Sequence, residues 1–326
     1  MHEKLFNLVD IDNLTLCYSI VNPSQLTGNR STDINFLQNC TDQKKILITA
    51  DADPYSFKLY DYWLSLRNEL PNRIKILTSN LNVFFQDSEL IYFPTWMLNQ
   101  LLQKNYQTTN KKFRFSFLSS QARFHRLYFF QQVKQYLTDS DCFAVYATNY
   151  DNQKSFVTDA SIKYLGRAEN LTADTPYFSS TANDRIEEYF NSSTTNQETQ
   201  FTNQHNAFSS MFNITGESNI DDDFVFLSEK TWKPIQSRCL FFTLGNIDSA
   251  NLLTNLGFLL FDKDNQSLTL LEKINYISNV MRDWDLDACQ QLYKNNIDLV
   301  EYNYARLHSK ELKTLFKTYL QERLEL

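Results

Sequence analysis

Glycine is scarce in this chain, with 5 in 326 residues, and Gly216, Gly245 and Gly257 all fall in the stretch from Phe208 to Asp262. A chain this poor in glycine turns tightly at few places, and these are the places where it can do so without steric cost. Each of the three follows an apolar run or a short helix-like segment. The pattern predicts short apolar runs at 211–215 and 224–227, a helix over 229–237 behind a capping Ser228, and a buried strand over 240–244 that ends at Gly245. Strand, turn and helix alternate through the stretch.

In an open α/β sheet, ligands collect beyond the carboxyl ends of strands, where helix amino termini present free N–H groups and partial positive charge. Glu229 and Lys230 fall directly after a predicted strand, in the first turn of a predicted helix. An acid there accepts hydrogen bonds from ribose hydroxyls, and a lysine beside free N–H groups suits a diphosphate. The plainer alternative is that Glu229 only complements the helix dipole and Lys230 is a solvated side chain.

The segment FLSEKTWKPIQSRCLFFTLGN resembles the donor-binding signature of the α1,3-fucosyltransferase-like (family 10-like) glycosyltransferases. That signature runs from an apolar strand through Thr/Ser-Glu-Lys and a helix to a second apolar strand. Upstream, MFNITGES is similar to the strand and acidic turn that precede the signature, which puts Glu217 in the same donor site. Downstream, GFLLFD is similar to the strand that closes it. Trp-Lys-Pro follows the lysine here, where the fucosyltransferases usually have an apolar helix, so the resemblance speaks for the family more than for fucose as the sugar.

In the first part of the chain, KILITA (45–50) reads as a strand running into Asp51-Ala52-Asp53, followed by apolar residues at helical spacing over 57–67 and a strand over 73–77. The piece ITADADPYSFKLYDYWL resembles the family's segment that supplies the carboxylate base on the acceptor side. Asp51 falls on the position of the family's glutamate, one methylene shorter, and Asp53 is the alternate base. A second reading has both aspartates capping the helix that begins near Ser56. A third takes Asp51-Ala52-Asp53 as a DxD motif, whose carboxylates hold a divalent cation on a donor diphosphate. Asp221-Asp222-Asp223 precedes a strand instead of following one and reads as a solvated loop.

The polar stretch 107–111 marks a domain boundary. Beyond it, FRFSFL (113–118) alternates as a strand does, a small-residue turn follows, and apolar residues recur at helical spacing over 123–137. Arg123, His125 and Arg126 gather in the first turn of that helix, where the dipole disfavours cations unless an anion sits between them. FSFLSSQARFHRLYFFQQV resembles the family's phosphate-binding element, with Arg126 on its arginine; a basic surface cluster facing nearby acids is the alternative reading. A strand over 142–147, a low-complexity loop over 191–200, and helices over 268–281, 286–299 and 304–326 complete the pattern.

A net charge of −7 argues against attachment to nucleic acid through a general basic surface, although a local basic groove stays open. Cys17, Cys40, Cys142, Cys239 and Cys289 are scattered without CxxC spacing, which points to reduced thiols and no zinc site. No signal-peptide pattern and no run of about 20 apolar residues is present, which predicts a cytoplasmic protein without a membrane span. The resemblance implies an α/β fold of two Rossmann-like domains facing a cleft, the GT-B arrangement, with C-terminal helices. The expected limits are 1–108 for the acceptor side, 109–300 for the donor side and 301–326 for a terminal helix.

The resemblance further implies an inverting transfer of a sugar from a GDP- or UDP-sugar to an acceptor hydroxyl. No metal or other cofactor is required in that scheme. Asp51 or Asp53 serves as base, and Arg123, Arg126, Glu217, Glu229 and Lys230 hold the donor. A metal-dependent DxD transferase, a phage-type enzyme acting on modified DNA bases, and a non-catalytic nucleotide-sugar-binding protein are the alternatives.

Overall fold

The structure is a computed structural model. It describes residues 17–21, 25, 26, 28–40, 45–50, 62, 65–70, 73–78, 80, 81, 90–92, 110–119, 121–145, 150–169, 171, 177, 178, 209–217, 220, 225–261, 263–265 and 268–325. The chain divides into two units: Met1–Leu102 with Asp221–Ser228 and His308–Leu326, and Gln103–Ile220 with Glu229–Leu307.

The first unit is built on a parallel sheet of four strands in the order β1 (Tyr18–Val21), β2 (Lys45–Ala50), β3 (Ile74–Thr78), β5 (Leu90–Tyr92). Its strands read as near-continuous apolar runs because parallel sheets are covered on both faces. Ile46, Ile48, Ile74 and Ile76 form the centre of its core with Val21, Leu37, Leu66 and Leu70. Helix α1 (Arg30–Asn39) supplies Leu37 and starts where the Asn29 side chain accepts from the Thr32 N–H at 3.2 Å. A two-residue strand β4 (Asn80–Leu81) pairs antiparallel with β10 (Val225–Phe226).

The last helix, Lys310–Leu324, starts behind a Ser309 cap, and its carboxyl end is gripped from three neighbouring strands. Tyr18 donates to the Leu324 carbonyl at 2.9 Å, and Lys75 donates to the Arg323 carbonyl. Lys75 and Lys45 also meet the Glu325 carboxylate at 2.8 and 2.6 Å. Cations placed there oppose the negative end of the helix dipole.

The second unit holds a five-stranded sheet in the order β11 (Leu240–Leu244), β9 (Ser210–Gly216), β6 (Phe113–Ser119), β7 (Cys142–Val145), β8 (Tyr177–Phe178). The first four strands are parallel, and β8 is an antiparallel edge that follows helix α3 (Tyr150–Leu165) in the chain. On β9 the alternation sends Phe212 and Ile214 to one face and Asn213 and Thr215 to the other. The first face packs as a cluster of rings in which Phe212 meets Phe115, Phe242, Phe261 and Trp284, and Phe117 meets Phe129 of helix α2 (Phe124–Val133).

Buried Arg114 at the start of β6 forms a two-pronged pair with Asp141, at 3.1 and 2.6 Å, and donates onward to the carbonyls of Met281, Trp284 and Tyr136. That single guanidinium ties the sheet to the end of helix Leu270–Asp283. The two helices expected over 286–299 and 304–326 are three, Leu286–Asn295, Ile297–Leu307 and Lys310–Leu324; at the first break Asn296 turns its side-chain amide back to the Leu292 carbonyl at 2.8 Å. Among the described residues no helix is long and apolar enough to cross a membrane.

Candidate functional site

In the second unit, β6 leads through α2 to β7 on one side, whereas β9 lies on its other side and leads through helix α4 (Glu229–Gln236) to β11. Strand order therefore reverses between β6 and β9. Open α/β sheets take ligands beyond the carboxyl ends of strands at such a point, because the two flanking connections diverge there. Four of the residues singled out in the sequence lie beside it: Arg123 and Arg126 after β6, and Glu217 and Lys230 after β9.

Glu217 follows Gly216 at the end of β9 and is fully buried. Its N–H donates to the Leu244 carbonyl of β11 at 3.0 Å. Its own carbonyl accepts from His125 Nε2 at 2.8 Å and from an Arg126 Nη at 3.0 Å, while Arg126 Nε donates to the Gly216 carbonyl at 3.1 Å. The Glu217 carboxylate accepts from the Thr231 hydroxyl at 2.5 Å. One residue thus joins β11, the first turn of α2 and the first turn of α4.

Two of the glycines make room for this hub. A Cβ at Gly216 would meet Arg126 Cγ at 3.0 Å, and one at Gly245 would meet Glu217 Cβ at 3.2 Å. Both distances are tighter than side-chain carbons ordinarily tolerate, so the arginine and the glutamate pack on bare backbone.

The cations gather as the sequence predicts, but under cover. Arg126 and His125 are only 1% and 2% exposed, and Arg123 is buried with one Nη on Gln121 Oε1 at 3.0 Å. His125 Nε2 faces a carbonyl, which only accepts, so that nitrogen carries the hydrogen. Burial holds the imidazole well below the usual histidine pKa, and the charges of Arg126, Arg123 and Lys230 add to it, against the opposing pull of the Glu217 carbonyl. The side chain is a neutral donor. Two of Arg126's donors go to the carbonyls of Gly216 and Glu217 at the end of β9, so it also braces the switch point.

Lys230 is partly exposed in the first turn of α4, and its carbonyl accepts from the Thr215 hydroxyl at 3.2 Å. Glu229 opens the helix, and its side chain lies outside the described residues, as do Asp51 and Asp53. Thr231 was not singled out in the sequence. Its place next to Lys230 is the only sign of it there.

The arrangement offers the partly exposed Lys230 ammonium and a helix amino terminus at the carboxyl edge of a parallel sheet, with the buried guanidinium groups of Arg123 and Arg126 behind them, which is suited to an anionic ligand. Among the described residues no group of three or more His, Cys, Asp or Glu is placed to hold a metal ion. Comparison with protein-family models, with curated proteins and with solved structures gave no match.

Proposed function

We propose that this protein is a glycosyltransferase that moves a sugar from a nucleoside-diphosphate sugar to an acceptor hydroxyl. The observation that carries the reading is the convergence of Arg123, Arg126, Glu217 and Lys230 where strand order reverses between β6 and β9. In this reading the donor diphosphate lies against the first turn of α4, with Lys230 neutralising charge on the departing phosphate. Fixed cations do this without a metal, because they are already oriented when the charge develops. Arg126 and His125 keep the carbonyls of Gly216 and Glu217 engaged, so the edge presents positive charge to the ligand in place of bare oxygens.

Two parallel sheets with flanking helices are in keeping with a GT-B arrangement. The carboxylate base is assigned to Asp51, with Asp53 as alternate, from the resemblance of their segment. The test is to incubate the protein with GDP- and UDP-sugars and a panel of hydroxyl acceptors and to follow release of nucleoside diphosphate. Release that persists in chelator and falls at least tenfold in Asp51→Ala and in Lys230→Ala supports the proposal. Release that stops in chelator, or none with any donor, overturns it.

A further inference from the structure

We propose that Thr231 is a positioning residue for Lys230, acting through Glu217; this rests on the donor-site reading above. Two side chains from the end of β9 grip consecutive residues of the first turn of α4. Thr215 donates its hydroxyl to the carbonyl of Lys230, and Glu217 accepts the hydroxyl of Thr231. Thr231 and Glu217 are both fully buried, so their bond is sheltered from water.

Glu217 cannot swing to follow a moving helix. Its N–H is held by Leu244, its carbonyl by His125 and Arg126, and its Cβ lies against the bare backbone of Gly245. The bond to Thr231 therefore fixes the backbone that carries Lys230 relative to β9 and β11. Thr215 has one hydroxyl hydrogen, shared between the Lys230 carbonyl at 3.2 Å and Asn213 Oδ1 at 3.0 Å, so this second grip is the weaker of the two and Glu217–Thr231 is the main hold on the turn. Displacing an ammonium by about 1 Å takes it out of hydrogen-bond range of a bound phosphate oxygen, although its longer-range attraction remains. Thr231 never needs to touch the ligand to matter.

The test is a binding cycle with GDP and UDP as probes on the full chain. The proteins are wild type, Thr231→Val, Thr231→Ser, Lys230→Ala and the Thr231→Val/Lys230→Ala double variant, and melting temperatures are recorded alongside. Thr231→Val removes the hydroxyl at nearly constant volume and should weaken diphosphate binding about tenfold, whereas Thr231→Ser, which keeps the hydroxyl, should bind as wild type does. In the Lys230→Ala background the valine should have no further effect, since residues acting through one another are not additive. A general loss of packing would instead weaken both backgrounds alike. If wild type binds a diphosphate and Thr231→Val binds equally well, or if the two losses add, the positioning role is wrong and the donor site stands. If wild type binds neither diphosphate, the donor-site reading fails first and the positioning role fails with it.

Discussion

His125 and Glu217, 92 residues apart in the chain, are joined by a 2.8 Å hydrogen bond from the imidazole Nε2–H to the main-chain carbonyl. The bond closes the gap between the helix after β6 and the end of β9. It uses the neutral form of the ring, and protonation is disfavoured by burial and by three nearby cations.

Acid should therefore act on the fold through His125. Its pKa in the folded chain lies below the ordinary 6.5, so as pH falls below 6.5 the unfolded chain takes up a proton that the folded chain refuses. The stability is fully present above 6.5 and declines on acidification, by about 1.4 kcal/mol per pH unit for one proton. Urea unfolding from pH 7.5 to 5 should show that slope in wild type and a shallower one in His125→Gln. Equal slopes would contradict it.

Asp141→Asn or Arg114→Leu should each cost about 3–5 kcal/mol, because either leaves a buried charge without its partner. Denaturant unfolding measures this. The Arg114→Leu/Asp141→Asn double variant should recover part of the loss, whereas a double loss equal to the sum of the two would show that the groups act independently.

Glu325 is held by Lys45 and Lys75 down to a pKa of about 2. The anchorage is present above the ordinary glutamate pKa of 4.5 and is lost as pH falls through about 2. Glu325→Gln should thus free the last turn of the terminal helix at neutral pH, seen as faster amide exchange over 320–324. The difference should shrink in high salt, because the carboxylate is 61% exposed.

Gly257 sits at φ +84°, and a Cβ there would meet Arg306 Nε at 2.8 Å. Arg306 Nε in turn donates to the Leu256 carbonyl at 2.9 Å. Gly257→Ala should lower stability by about 1–2 kcal/mol from the left-handed backbone alone, with more from the contact. Adding Arg306→Ala should return only the contact part, which melting temperatures of the single and double variants would separate.

Strands with both faces covered were legible in the sequence. KILITA and LFFTL stand out as apolar runs, and both form strands at the expected residues. Helix Arg30–Asn39 was hidden, since RSTDINFLQN is mostly polar. It is held by the Asn29 cap and by buried Asp33, which accepts from the Gly28 N–H and the Tyr62 hydroxyl. β1 is hidden for a similar reason, being four residues long in a polar region. The break at Asn296 leaves no mark in the sequence because apolar spacing continues across it.

Part of the candidate site was legible too. The run Arg123–Arg126 announced itself by placing cations at a helix amino terminus. What the sequence does not display is that Arg126 and the neutral His125 meet the main-chain carbonyls of Gly216 and Glu217 at the end of β9. Three of the contacts at Glu217 use its backbone N–H and C=O, and backbone groups leave no mark in a side-chain pattern. Thr231 is known as a partner only once β9 and α4 are side by side.

The most direct measurement is a calorimetric titration of wild type and Lys230→Ala with GDP and with UDP, in buffer containing EDTA. A nucleoside diphosphate that binds wild type with micromolar affinity and binds Lys230→Ala at least about tenfold more weakly, with both proteins melting alike, is the result expected of a metal-independent donor site at the first turn of α4. Equal binding by the two proteins, or no binding of either nucleotide by wild type, would contradict it.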